Sequence, residues 1–135
     1  MKRRNFLLVS AIIGLAMSAM MFLAPASLLN DTLPSANPMA EFLMRVIAVA
    51  VVSMSIINLF ARRDGWSDSM RAILSGNAVM HVLLLALDLY GYVDGLVGTR
   101  SVVMSIVIHG GLAVGFMVML MSPNRQEEPS LAPIK

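Results

Sequence analysis

The sequence predicts an all-α fold, a transmembrane antiparallel four-helix bundle. Of its 135 residues, 58% are hydrophobic and 13% charged, with a mean hydropathy of +0.79. A soluble domain is about a quarter charged, because its surface must stay hydrated, so lipid is the expected solvent. Four apolar segments, roughly 6–24, 39–60, 70–91 and 101–122, approach the ~20 residues that take a helix across ~30 Å of hydrocarbon. Residues that start and stop helices fall between the segments. The whole chain, 1–135, reads as one four-span domain.

The first segment follows Lys2-Arg3-Arg4 and closes at Pro25. A basic start, an apolar run and Ala24-Pro25-Ala26 also resemble an export signal, even of twin-arginine type. The run is longer than a usual signal core, however, and a retained helix is expected. The 25–38 loop (PASLLNDTLPSANP) is rich in turn formers, and Leu28, Leu29 and Leu33 lay it on the membrane surface. Asn37 and Pro38 cap and open the second helix, Ser67 or Ser69 starts the third, and Pro123 stops the fourth.

Eight of the ten Lys and Arg residues fall on one side if the helices alternate: Lys2, Arg3, Arg4, Arg62, Arg63, Arg71, Arg125 and Lys135. Arg45 and Arg100 fall toward the other. The positive-inside bias therefore predicts both termini in the cytoplasm. Trp66 would then lie near the inner interface, with Tyr90 and Tyr92 near the outer one. These basic residues flank spans and form no aromatic-interleaved surface, so no nucleic-acid partner is expected.

Within a bilayer each polar side chain needs a partner or water, which makes Arg45, Asn58, Asn77, His81, Asp88 and His109 the candidate residues of a polar cleft, ligand site or proton site. Glu41 stands four residues before Arg45, the favourable order for a helical ion pair. Asn77, His81 and Asp88 share one face at steps of four and seven, a face that should point inward. Helical rise places Arg45 and Asp88 at similar depth, ~5–10 Å from the outer end and within reach of each other. It places His81 and His109 together near the midplane, ~16 Å from the inner end of span three and ~12 Å from the outer end of span four. Asn58 and Asn77 form a third layer toward the cytoplasm. The same column has a bland reading, since polar residues in bundles often serve as interhelical hydrogen bonds.

Ser10, Gly14 and Ser18 form a small-residue stripe on span one, and Gly111 and Gly115 a GxxxG step on span four. Both suit close helix packing, between spans or between copies of the chain. Thirteen methionines, including Met17, Met20, Met21, Met117, Met119 and Met121, read as flexible filler. Thioethers are also soft ligands for Cu(I), but no His or Cys neighbours these clusters, and no metal site is expected. Without cysteine there is no disulfide framework, thiolate site or cysteine nucleophile. GxSxG, HExxH, phosphate-loop and CxxC motifs are missing from the sequence, and no enzymatic activity is expected.

A first span ending in Leu23-Ala24-Pro25, an Arg early in span two (Arg45), the basic turn Ala61-Arg62-Arg63-Asp64, a His in span three (His81) and a His in span four (His109) resemble small bacterial four-helix integral membrane proteins of unknown function. The resemblance covers nearly the whole chain, though Asp88 and the Asn77-to-His81 step lie outside its pattern. It implies an architecture and a bacterial inner membrane, and brings no established activity.

Three functional classes remain in view. The first is a non-enzymatic protein that binds a partner or small amphiphile through the polar column. The second is a proton-coupled carrier, probing pH through His81, His109 and Asp88, and working as a homo-oligomer because four helices enclose little room. The third is a redox carrier with one haem held between His81 and His109. The expected partners are the bilayer and either a second copy or another membrane protein.

Overall fold

The computed structural model describes residues 2–29 and 37–122. Among the described residues, five α-helices and one π-helical turn build four spans, and a sixth, short α-helix follows the first span. Helix α1 is Arg3–Leu23, α2 Pro25–Leu29, α3 Pro38–Ala61, α4 Asp68–Val93, α5 Thr99–Ser105 and α6 Gly111–Met121. The π-turn Ile106–Gly110 joins α5 to α6, so that Thr99–Met121 forms one span of 23 residues. All four spans are long and apolar enough to cross a membrane, and the described residues contain no strand.

The helix ends follow local chemistry. The Asn37 side chain accepts from the amides of Met39 and Ala40, both at 3.1 Å, with Pro38 behind it at the first helical position. Ser67, rather than Ser69, caps α4 by accepting from the Met70 amide at 3.1 Å. At the other end of α4, Gly95 takes a φ of +73°, while the Leu96 amide donates to the Gly91 carbonyl at 2.7 Å and the Gly95 amide to the Tyr92 carbonyl at 3.1 Å. This is a Schellman closure, which needs a residue without Cβ at the left-handed position. The expected loop after Pro25 begins as the short helix α2, with proline at its first position where the missing amide costs nothing. Leu33, the rest of that loop through 36, Pro123, Arg125 and Lys135 lie outside the described residues.

The spans pair as two hairpins. Helix α1 packs along α3, and α4 packs along α6, the π-turn and α5. Lipid tails are as apolar as leucine, so contact between helices in a bilayer rests on close packing and hydrogen bonds instead of water exclusion. The small residues supply the closeness. A Cβ on Gly14 would collide with the Ser55 hydroxyl, and one on Gly115 with the Phe6 ring. The core joining the hairpins contains Phe6, Leu7, Ala61, Met70, Leu74, Ala78, Leu112 and Phe116, with Phe6 edge-on to Phe116 at 4.8 Å between ring centroids. All of these residues lie toward the end that holds the N-terminus. Toward the opposite end each hairpin packs on itself, through Ser18 and Ala48 in one and Gly91 and Val102 in the other.

Candidate functional site

The polar residues sort into hydrogen-bonded layers, with partners partly different from those expected. Nearest the N-terminal end, Asn58 on α3 and Asn77 on α4 exchange two amide hydrogen bonds of 3.0 Å, each Nδ2 donating to the other's Oδ1. Asn58 Nδ2 also donates to the Ser10 hydroxyl at 3.4 Å, and Asn77 Nδ2 to the Ile73 carbonyl at 2.8 Å. Ser10, Asn58 and Asn77 are all buried. Three helices from two hairpins thus meet in one polar knot.

One layer further, His81 on α4 and His109 in the π-turn meet through their Nδ1 atoms at 3.0 Å. One ring must present Nδ1–H and the other an unprotonated Nδ1, so the contact holds a single shared proton. His81 is buried and stacks on Phe116 at 5.7 Å with 17° between planes, whereas His109 is half-buried. The wide π-turn brings His109 to this seam; such turns interrupt helices frequently at functional sites. To share one haem, the rings would have to part and admit the macrocycle between them.

The third layer is Asp88 with Ser105, whose hydroxyl donates to the carboxylate at 2.5 Å. Ser105 lies one turn before His109, and Asp88 two turns after His81, so both contacts share the seam between α4 and the fourth span. The Ser105 hydroxyl donates to the carboxylate, a single bond lying beside the histidine pair.

Arg45 and Asp88 do not form the expected outer pair. Arg45 reaches back to Glu41 on its own helix at 3.5 Å, while Asp88 turns to Ser105 across its own hairpin. Each of the two finds its partner within its own hairpin. The Ser10, Gly14 and Ser18 stripe is likewise spent inside the chain: Ser10 accepts from Asn58, Gly14 faces Ser55 and Ser18 is buried. That stripe is therefore occupied by contacts within the chain. Gly115 is covered by Phe6, whereas Gly111 faces open space.

The sequence missed two contacts. Ser105 was not among the polar candidates, and its partner Asp88 comes from α4 across the hairpin. Arg3, read only as a flanking charge, is buried and donates to the Asp64 carbonyl at 2.8 Å, with its guanidinium 5.6 Å from the centroid of the Trp66 ring. Among the described residues, no group of three or more His, Cys, Asp or Glu is arranged to hold a metal ion. No protein family, curated protein or solved structure matches the chain.

Proposed function

We propose that the chain is a non-enzymatic membrane protein that binds a small amphiphile, or a membrane-protein partner, through its polar column. The supporting observation is that the hairpins are joined toward one end. Toward the other, Arg45 and Asp88 stand on different hairpins, each with a local partner instead of the other. An amphiphile entering between the hairpins would set its polar head against these two groups and its tail against apolar helix faces. Mass spectrometry of protein purified from native-like membranes tests this. A bound species should co-purify with the parent and be lost from Arg45→Ala/Asp88→Ala; its retention by that variant would overturn the reading.

A proton-coupled carrier is the second reading, favoured by the His81–His109 contact with the Asp88–Ser105 bond beside it. Intramembrane groups of this kind relay protons. Flux into liposomes should then depend on pH and lose that dependence in His81→Ala/His109→Ala. Dependence that survives both substitutions would sink it. A homo-oligomeric carrier would need a contact other than the Ser10, Gly14 and Ser18 face. The resemblance and the charge bias support a bacterial inner membrane with both termini cytoplasmic.

A further inference from the structure

His81 and His109 are the only histidines of the chain, and their rings meet head-on. The Nδ1 atoms lie 3.0 Å apart and the ring centroids 5.2 Å apart, a difference that two ring radii account for. Both nitrogens therefore stand in line between the rings, and an unprotonated Nδ1 directs its lone pair at the other ring. The two rings are not equally fixed. His81 is buried, with its face on Phe116. His109 is half-buried and belongs to the π-turn. Behind it, a Cβ on Gly110 would meet only Leu85, at 3.7 Å, and one on Gly111 would meet nothing within 4 Å. The backbone that carries His109 is thus not wedged against a neighbouring helix, so this ring is free to retreat along the axis of the contact. Its partial exposure leaves a way in.

Geometry and charge then select the ligand. Metal–imidazole bonds are about 2 Å long, so an ion between the nitrogens needs them about 4 Å apart, a retreat of about 1 Å from the contact. A macrocycle needs far more room than a bare ion. Two in-line donors suit a two-coordinate d10 ion. Among the described residues, no group of three or more His, Cys, Asp or Glu could hold a metal ion, which disfavours Zn2+ with its four ligands. Imidazole is a good ligand for copper, and Cu(I) brings a single charge into a span, where every added charge is costly. Asp88, two turns from His81 on the same seam, supplies one negative charge to match it. We propose that His81 and His109 form a linear, two-coordinate Cu(I) site, each ring ligating through Nδ1. Binding moves one proton within a ring and releases none: the ring that presents Nδ1–H in the ion-free contact becomes the Nε2–H tautomer. The site depends neither on amphiphile binding nor on proton flux.

Anaerobic titration of the full chain in detergent with Cu(I), supplied as its bicinchoninate complex, tests this. The chain should withdraw one equivalent of copper, and X-ray absorption should show nitrogen neighbours at about 2 Å. Because the chain has only two histidines, 15N-histidine labelling reports on this site alone. Both Nδ1 resonances should shift together as copper is added, while both Nε2 atoms stay protonated. His81→Gln and His109→Gln should each weaken binding by at least about a hundredfold, the upper end of what even outer-shell partners cost. Met117→Leu/Met121→Leu removes two exposed thioethers of α6 and should bind like the parent. Circular dichroism confirms that each variant keeps its helices, and the resonance shifts in the parent test the site without any substitution. No withdrawal of copper, undiminished binding in both glutamine variants, sulfur neighbours in the absorption spectrum, or movement of one Nδ1 resonance alone would overturn the site. Zn2+ that competes on equal terms would overturn the linear Cu(I) assignment.

Discussion

Asn58 and Asn77 satisfy each other so completely that removing one amide is not half of removing both. Asn58→Leu leaves Asn77 with its internal bond to the Ile73 carbonyl and an unmatched carbonyl oxygen in an apolar surround. Interhelical hydrogen bonds in membranes average about 0.6 kcal/mol, with a maximum near 1.7. The reciprocal pair should fall toward the upper value, since two bonds are lost together. A double-mutant cycle with Asn58→Leu, Asn77→Leu and both, followed by unfolding in detergent, should give a coupling of about 1–2 kcal/mol. Additive losses would show that the bonds hold nothing between the hairpins. The histidine pair makes a second prediction at this scale. Because its rings bond directly, protein from haem-supplemented cells should show no Soret band; a band would mean that the rings part to take the iron.

The fourth span shows what one turn contributes to an element. Ile106, Val107 and Ile108 are β-branched and crowd a regular helix, while Gly110 and Gly111 add pliability directly after His109. The π-turn accommodates an extra residue, so that Ser105 before it meets Asp88 while His109 within it meets His81. Deleting the exposed Val107 removes the extra residue, so the span should return to α-helical winding with the segments on either side keeping their register. The absence of native cysteine makes the test direct. Cysteines placed at 88 and 105 should form a disulfide in the parent background and keep it on deletion; loss of cross-linking would show that the turn does not absorb the extra residue. This element also marks the limit of what the sequence reveals. The spans, the caps at Asn37 and Ser67, and the equal depth of the histidines follow from hydropathy, side-chain oxygens and helical rise. The π-turn, the Ser105–Asp88 bond and the burial of Arg3 depend on which helices become neighbours, and no local pattern encodes that.

At the scale of the molecule, the polar residues explain why two hairpins close at one end. Phe6 against Gly115, Phe6 on Phe116 and the Asn58–Asn77–Ser10 knot bring all four spans together there. Toward the other end, the hydrogen bonds and ion pairs of the column stay within a hairpin, Arg45 with Glu41 and Asp88 with Ser105. Depth alone predicted a bridge from Arg45 to Asp88, because depth carries no information about lateral distance. The architecture therefore predicts an asymmetric pair of distances between α3 and α4. Spin labels at 58 and 77 should report a short, narrow distribution, whereas labels at 45 and 88 should report a longer and broader one in the same bilayer. The Asn58→Leu/Asn77→Leu background separates the causes: without the joining bonds, a label pair at 61 and 74, in the same core, should broaden while the pair at 45 and 88 changes little. Equal distances at 45/88 and 58/77 in the parent would close the hairpins along their full length and remove the opening on which amphiphile binding depends.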